Sequence, residues 1–312
     1  MDRRRFSLTF CVFSLVIRNM KDLSEYREEI DRLLEERVKS MGSLKNLYGA
    51  MIYHIKTGGK RWRAILPILI AEAYGHDKED VISLALSVEL LHNFSLVHDD
   101  IEDGDVVRRG HPTIWVKFGL GHGVNVGDGM REVAFLILSE GRKKWGDKIF
   151  GDLVKLACEC LLKMAEGQTM DMDFRRRSKI SMREYMEMVR KKTGYVIKFA
   201  TVGAAMIVGV SREVINALER YSLLIGPGFQ IMDDELDFTK GKGRGEVGCD
   251  VKEGKRSILV IFTLNKASKE ERKKLLKILD KPREETSKED IDWVYNLFKT
   301  VSYTHLTLPT KA

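Results

Sequence analysis

Two acidic clusters of the same pattern, D-D-x-x-D, point most directly to chemistry in this chain. The first is Asp99-Asp100-Ile101-Glu102-Asp103 and the second is Asp233-Asp234-Glu235-Leu236-Asp237. Residues four apart lie on one face of a helix, so the first and last aspartates of each cluster should project together. Like charges at this spacing repel. Carboxylate oxygens suit Mg²⁺, which binds one or two carboxylates together with substrate phosphates. The pattern therefore predicts a site for divalent cations.

An acidic run is also typical of a solvated helix face, and either cluster alone is open to that interpretation. The residues around the clusters favour a cavity lining instead, because they are strongly apolar. They are Leu90, Leu91, Phe94 and Val97 before the first cluster, and Phe229, Ile231 and Met232 around the start of the second.

The elements that must position these acids are predicted to be helices. Apolar residues recur at three and four positions, as in Leu84, Val88 and Leu91, and few segments alternate like strands. Only five of the 312 residues are proline and 44% are hydrophobic. The chain is long enough to bury a sizeable core. The expected fold class is all-α.

Charge and cysteine content exclude some classes of protein. Part of the net charge of +7 comes from Arg3, Arg4, Arg5 and Arg18 near the start, so the remainder does not indicate a nucleic-acid binder. The four cysteines form neither a disulfide framework nor a zinc pattern. They favour a reduced, cytoplasmic protein.

Both ends of the chain differ from the rest. Residues 6–17 form an apolar run that is too short to span a bilayer, and we interpret residues 1–19 as a non-native or mis-started extension that precedes a helix from Lys21 to Arg37. Residues 301–312 have almost no charge and no helical period. We interpret them as an adapter-derived tail on a truncated chain, which leaves residues 20–300 as the functional domain.

Basic residues beside glycines complement the acids. Gly58-Gly59-Lys60-Arg61-Trp62-Arg63 places three cations behind a glycine pair, and Arg108-Arg109-Gly110 follows the first acidic cluster. Lys192-Thr193 and Gly254-Lys255-Arg256 add further cations. Arginine binds phosphate with two parallel hydrogen bonds and lysine acts as a point charge. Acids that hold metal beside bases that hold phosphate indicate a diphosphate site.

In this order, these motifs resemble the trans-isoprenyl diphosphate (polyprenyl) synthases over roughly residues 25–300. The matching segments are G-G-K-R-x-R at 58–63, V-E-L-L-H-N-F-S-L-V-H-D-D-x-x-D at 88–103, R-R-G at 108–110, K-T at 192–193, G-x-G-F-Q-I-x-D-D-x-x-D at 226–237 and G-K-R at 254–256. The resemblance implies a single helical bundle around a central active-site cavity, usually a homodimer. It also implies head-to-tail condensation of isopentenyl diphosphate with an allylic diphosphate, with no nucleic acid and no stable membrane span involved.

The resemblance also implies roles for individual residues. About three Mg²⁺ ions are expected, held by Asp99, Asp103, Asp233 and Asp237. Arg108, Lys192 and Lys255 would bind the allylic diphosphate, and Thr193 and Gln230 would stabilise the allylic cation. The isopentenyl diphosphate pocket is matched by Lys60, Arg63, His92 and Arg109. Helical position, rather than the resemblance, predicts that Asp100 and Asp234 support the metal ligands or reach the metal through water, that Glu102 and Glu235 face outward, and that His98 is structural.

Two positions depart from the family pattern. Gly245 stands where a lysine usually precedes the aspartate that matches Asp250, so Lys242 or Arg244 would have to reach the diphosphate, or one contact is lost. Ala64 stands where a proline often follows the basic loop, and we expect little effect.

Product length is predicted from the residues before the first cluster. Phe94 lies five residues before Asp99, about 7.5 Å along a helix axis, and Leu91 and the small Ser95 are beside it. In the family, an aromatic residue here with no insertion in the first cluster suggests geranylgeranyl diphosphate of the archaeal type. Farnesyl diphosphate or a mixture is the near alternative, and ordinary core packing of Phe94 is compatible with both.

Three other functions compete with this one. A class I terpene cyclase shares the metal chemistry but would not need the second diphosphate pocket. A non-catalytic subunit would typically lack one acidic cluster. A basic helical nucleic-acid binder would leave the paired acids unexplained, and strongly salt-dependent DNA binding would be its signature.

Overall fold

The computed structural model describes residues 23–238 and 247–306, and for residues 302–306 the backbone alone. The predictions for residues 1–19, Lys242, Arg244, Gly245 and residues 307–312 lie outside this range. The described chain is helical apart from one short hairpin, which confirms the all-α class. Among the helices in this range, none is both long and apolar enough to cross a membrane.

The described ranges contain fourteen α-helices. They are α1 (Leu23–Met41), α2 (Ala50–Lys56), α3 (Trp62–Ala73), α4 (Ile82–Glu102), α5 (Ile114–Phe118), α6 (Leu120–Glu140), α7 (Arg142–Phe174), α8 (Met182–Val189), α9 (Tyr195–Ile207), α10 (Arg212–Leu236), α11 (Cys249–Lys252), α12 (Ile258–Lys266), α13 (Lys269–Leu279) and α14 (Lys288–Leu306). Strands β1 (Val107–Arg108) and β2 (His111–Pro112) form the hairpin. Single π-helical turns occupy Lys45–Gly49 and Arg190–Gly194, and 3₁₀ turns occupy Lys78–Asp80 and Arg283–Glu285.

The described residues form two compact units. The first contains residues 23–102, 112–160 and 196–222, and the second contains residues 103–111, 161–195, 223–238 and 247–306. The single-domain assignment of residues 20–300 stays a prediction. α14 continues to Leu306, six residues past Thr300, so the backbone remains helical through the first part of the segment for which no helical period was expected.

In the first unit, α4 is the central helix. Its apolar side chains are buried on most of its circumference, which is the pattern of a helix surrounded by others. It packs most extensively against α6 and also against α3. Gly203 on α9 lets Leu84 approach closely, because a Cβ at that position would lie 3.1 Å from the leucine. This packing fixes the direction in which the acidic end of α4 points.

The second unit has two apolar clusters. The larger contains Val251, Val260, Leu264, Leu275, Ile278, Leu279, Ile291, Val294, Leu297 and Phe298, from α11 to α14. The smaller contains Phe174, Ile180, Tyr185, Met188, Val189 and Ile261. α8 begins with a capping box, in which the Ser181 hydroxyl accepts from the amide of Glu184 while the Glu184 carboxylate accepts from the amide of Ser181.

Candidate active site

The first acidic cluster straddles the end of α4. Asp99 is partly buried in the last helical turn, and Asp100 is buried beside it. Asp103 lies just after the helix ends at Glu102, in the second unit. Glu102 is exposed, as predicted. Asp99 therefore lies on the helix, as the spacing predicts. Asp103 does not, because it belongs to the segment that follows the helix.

Asp103 is a buried carboxylate of the second unit that two cationic side chains contact. Nζ of Lys255 donates to its Oδ2 at 2.8 Å, and Nη2 of Arg175 donates to its Oδ1. Burial of the carboxyl opposes ionisation, but Lys255, Lys192 and Arg175 together lower the pKa of Asp103 far below its usual value. Asp103 is therefore an anion at neutral pH, and it brings together two predicted diphosphate ligands, Lys192 and Lys255.

Three carboxylates, from Asp103, Asp105 and Glu253, come within 4.8 Å of one another. Arg283 lies among them: it donates to the backbone oxygen of Asp103 at 2.6 Å and to Oδ1 of Asp105 at 3.1 Å, and its Nη1 is 3.6 Å from Glu253. Sequence analysis did not identify Asp105, Glu253 or Arg283. Asp105 could have been suspected from its place two residues after the cluster.

Lys192 and Thr193 occupy the π-helical turn that follows α8. Nζ of Lys192 donates to Oδ2 of Asp171 at 2.8 Å. Gly167 makes this position possible, because a Cβ on it would lie 2.3 Å from the amide nitrogen of Lys192. Asp171 was missed by sequence analysis, although Arg175 follows it by four residues, just past the end of α7, and its Nη2 lies 4.0 Å from Oδ2 of Asp171.

The second acidic cluster lies at the end of α10. Asp233 is partly buried, Glu235 is exposed as predicted, and Asp237 follows the helix. The amide of Asp250 donates to Oδ2 of Asp237 at 3.1 Å, so a predicted metal ligand is also tied to the start of α11. Phe229 and Met232 are 44% and 55% exposed. Both side chains are therefore accessible on the surface of α10 rather than packed in a core, and the cavity lining stays a prediction.

The carboxylate of Asp234 is buried and held by hydrogen bonds within the second unit. It accepts from the Tyr185 hydroxyl at 2.7 Å, from Nε2 of Gln230 at 3.0 Å and from the amide of Ile258 at 3.0 Å. Burial, with the charge of Asp250, raises the pKa of Asp234 to about 6 despite these hydrogen bonds. Because Nε2 of Gln230 is held by Asp234, its Oε1 faces the hydroxyl of Thr193 at 3.4 Å.

The predicted arginine pair lies on the hairpin. Arg109 and Gly110 both have positive φ, +54° and +79°, as the two central residues of a type I′ turn require. Arg108 is in β1, and its Nη2 is 4.0 Å from Oδ2 of Asp105. The hairpin therefore places Arg108 beside the carboxylates that surround Arg283, with Arg109 at the turn.

The glycine-rich basic loop lies in the first unit, between α2 and α3. Lys60 is exposed, and Nη1 of Arg63 lies 3.0 Å from Nε2 of His92 on α4. The Arg63 guanidinium stacks over the Trp62 ring at 4.6 Å. Arg61 is 2% exposed. No ligand role was predicted for Arg61, and its guanidinium is directed into the protein.

The predicted chain-length residues lie on α4 in the first unit. Leu91 and Phe94 are buried, and the Ser95 hydroxyl donates to the backbone oxygen of His92 at 2.8 Å. The Phe94 ring meets the His98 ring edge to face, with centroids 5.8 Å apart. Nε2 of His98 is 3.3 Å from the Val124 oxygen. These contacts agree with a structural role for His98.

The donor set fits a hard divalent cation. The predicted metal ligands Asp99, Asp103, Asp233 and Asp237 all offer carboxylate oxygens, which Mg²⁺ prefers. Cations of the protein already contact Asp103, and a metal ion would take over part of their charge compensation. The close carboxylate cluster of Asp103, Asp105 and Glu253 shares only Asp103 with the predicted set.

Comparisons with known proteins identify relatives of this chain. The sequence profile of polyprenyl synthetases matches residues 44–298. A geranylgeranyl pyrophosphate synthase of Geoglobus acetivorans is 41% identical over 235 residues, which are 75% of this chain and 72% of that protein. A short chain isoprenyl diphosphate synthase of Methanothermobacter thermautotrophicus is 35% identical over 92% of this chain and 87% of its own.

The fold is also that of solved prenyl synthases. The crystal structure of geranylgeranyl pyrophosphate synthetase from Pyrococcus horikoshii superposes with a TM-score of 0.76 at 29% identity, and the match covers 90% of this chain and 86% of that one. Family profile, relatives and fold point to the same class of enzyme. This chain therefore belongs to the polyprenyl synthetase family and is a prenyltransferase.

Proposed function

We propose that this chain condenses isopentenyl diphosphate head to tail with allylic prenyl diphosphates, and that its main product is geranylgeranyl diphosphate. One observation carries the proposal: the buried anion Asp103 is surrounded by Lys255, Arg175 and Lys192. Carboxylate and cations in this proximity suit a metal-bridged diphosphate. The relatives named for the geranylgeranyl product support the choice of chain length.

In this proposal Asp99, Asp103, Asp233 and Asp237 hold about three Mg²⁺ ions, a number that rests on the family resemblance. When bound, the ions neutralise the charge that grows on the leaving diphosphate. Asp103 is already ionised at neutral pH, as a metal ligand must be, because the neighbouring cations lower its pKa. Arg108, Lys192 and Lys255 bind the same diphosphate through their cationic groups.

The allylic cation that remains is stabilised by dipoles oriented towards it in a site that excludes water. Thr193 and Gln230 supply them. Because Nε2 of Gln230 donates to Asp234, its carbonyl oxygen is the end presented on the Thr193 side. An oxygen oriented in this way is suited to stabilise positive charge.

Isopentenyl diphosphate is bound by Lys60, Arg63, His92 and Arg109. The contact between Arg63 and His92 places a guanidinium next to an imidazole on α4. The double bond attacks the allylic carbon, and the proton lost afterwards passes to the departing diphosphate. This last step needs no dedicated protein base.

The test is an incubation with Mg²⁺, isopentenyl diphosphate and each allylic primer in turn, followed by chromatographic sizing of the products. We expect consumption of isopentenyl diphosphate, a product dominated by the C20 diphosphate, and no turnover after chelation of the metal. The variant Lys192→Met should lose most activity. Cyclic hydrocarbons formed without isopentenyl diphosphate would instead identify a terpene cyclase, and a dominant C15 product would identify the farnesyl alternative.

Product length is assigned to Phe94, with Leu91 and Ser95 beside it. Phe94→Ala should lengthen the products, because it removes a bulky side chain about 7.5 Å along α4 from Asp99. Leu84→Ala is the matched control, since Leu84 is buried on the same helix against Gly203. It should destabilise the protein, as large-to-small core changes do by about 2–5 kcal/mol, without changing product length. Unchanged products from a folded Phe94→Ala variant would contradict the assignment.

A homodimer in the cytoplasm is part of the proposal, supported by family resemblance. Light scattering coupled to size-exclusion chromatography measures the mass in solution. We expect about twice the chain mass of 35.7 kDa, and a monomer mass at micromolar concentration would contradict the dimer.

A further inference from the structure

The sequence G-K-R occurs at Gly59-Lys60-Arg61 and at Gly254-Lys255-Arg256, once in each compact unit. In both segments the arginine is 2% exposed. The lysine before it is exposed in the first segment and reaches the carboxylate of Asp103 in the second. In each segment the two cations therefore point in different directions. The arginine is directed into the protein, whereas the lysine is exposed in the first segment and contacts Asp103 in the second.

Arg61 is anchored at all three nitrogen positions of its guanidinium. Nε donates to Oδ1 of Asp31 on α1 at 2.6 Å, Nη1 to Oε1 of Glu89 on α4 at 3.2 Å, and Nη2 to the backbone oxygen of Ile55 near the end of α2 at 2.6 Å. Glu89 is in turn held by Nδ2 of Asn93, 3.2 Å from the same oxygen. One side chain thus joins the basic loop to three helices of the first unit.

The backbone of Arg61 is unusual as well. Its φ is +51°, in the left-handed region that side chains other than glycine seldom adopt. Such a conformation persists only where the surroundings enforce it, and the three hydrogen bonds of the guanidinium supply that enforcement. The turn is located between Lys60 and Arg63, so the anchor determines where both of these side chains begin.

A second contact lies one turn along α4 from the first. Arg61 meets Glu89, and Arg63 meets His92, three residues later. Residues three apart are neighbours on one helix face. The anchor at Arg61 therefore fixes the register in which Arg63 meets His92.

Arg256 is anchored in the same way in the second unit. Nε donates to the backbone oxygen of Arg177 at 3.0 Å, Nη1 to that of Gly254 at 2.8 Å, and Nη2 to Oδ1 of Asp280 at 2.6 Å. Gly254 has φ +65°, and a Cβ on it would lie 2.4 Å from the oxygen of Leu279. The loop is thereby held against the end of α13.

This anchor places Lys255. The Lys255 amide donates to the Asp250 oxygen at 2.9 Å, and Nζ reaches Asp103 at 2.8 Å and Glu253 at 2.6 Å. Lysine could not replace arginine as the anchor, since three acceptors around a planar fork match a guanidinium and not a point charge.

We propose that Arg61 and Arg256 are positioning residues for the two diphosphates: Arg61 sets the cations that receive isopentenyl diphosphate, and Arg256 sets Lys255 for the allylic diphosphate. The inference rests on the proposed function, since that function assigns Lys60, Arg63 and Lys255 to these ligands. Neither arginine touches substrate. Each acts through the neighbouring cations of its own loop.

The experiment compares Arg61→Lys with Arg256→Lys in steady-state kinetics with each substrate varied separately. Arg61→Lys should raise the KM for isopentenyl diphosphate about tenfold and that for the allylic primer less than about threefold, because small misplacements of binding groups are costly. Arg256→Lys should give the reverse pattern. The control Arg37→Lys alters an exposed pair with Glu140 and should change neither KM.

Milder variants keep the test decisive if a buried arginine is needed for folding. Asp31→Asn and Asp280→Asn weaken each anchor from its exposed end, where the carboxylate side chains are 37% and 58% exposed. They should show the same crossed pattern, with KM values raised about twofold to fourfold. On the same scale, a tenfold change corresponds to about 1.4 kcal/mol.

Folded variants with both KM values unchanged, or with both raised equally, would overturn the inference even if their melting temperatures fell. A wild-type enzyme that elongates no prenyl diphosphate would instead refute the proposed function. The two failures are therefore distinguishable in one set of assays.

Discussion

Gly127 on α6 gives the sharpest test of how the end of α4 is packed. A Cβ on Gly127 would lie 2.2 Å from Nε2 and 2.4 Å from Cδ2 of His98. The His98 ring has little room to move, because it meets Phe94 edge to face and its Nε2 lies 3.3 Å from the Val124 oxygen. Gly127→Ala should therefore force a shift of His98, the residue directly before Asp99.

The magnitude follows from two opposing terms. Replacing glycine by alanine inside a helix stabilises by about 0.5–1 kcal/mol, and overpacking a filled site costs about 1–3 kcal/mol. Gly151 on α7 supplies the matched control, because no described heavy atom lies within 4 Å of its Cβ position. Gly151→Ala should gain the helix term alone, so the two variants should differ by about 1–3 kcal/mol in the free energy of unfolding.

Urea denaturation of both variants measures this difference, with the denaturant slope as the check that the unfolded states are comparable. The cause is tested by repeating Gly127→Ala in a His98→Ala background, where the steric conflict is removed. The cost of the alanine should then vanish, as expected for residues in direct contact. Equal stabilities of Gly127→Ala and Gly151→Ala, or an undiminished cost without His98, would refute the reasoning.

Three further outcomes follow from the described contacts. Arg283→Ala removes the cation that faces the buried carboxylate of Asp105 and should cost about 3 kcal/mol of stability; a melting temperature equal to that of the wild type would contradict this. Burial raises the pKa of the Cys160 thiol to about 12, so at pH 8 iodoacetamide should label exposed Cys158 and leave Cys160 unmodified in native protein, as mass spectrometry would show. Hydrogen bonds from the backbone amide of Ser181, from Arg177 and from the Ser181 hydroxyl lower the pKa of Glu184 to about 2. The contribution of Glu184 to stability should therefore be present above pH 4.5 and be lost as the pH falls through about 2. A titration of this carboxyl group by NMR with a midpoint near 4.5 would contradict the prediction.

Local periodicity allowed the sequence to predict much of this molecule. The apolar spacing of residues 84–97 predicts a helix, and α4 runs through it. Exposure of Glu102 and Glu235 follows from helical geometry alone, and the structure confirms both. Such features depend on neighbours within one or two turns, which is the information that spacing contains.

The sequence by itself determined the composition of the site: two acidic clusters, four groups of cations and their order along the chain. Tertiary structure alone decided which groups meet. Arg175 and Lys255 reach Asp103 from 72 and 152 positions away. Arg61, one of the three cations of the basic loop, is a buried anchor. The physical reason is that contact between distant residues depends on how helices pack, and packing depends on the summed shapes of many side chains rather than on any short pattern.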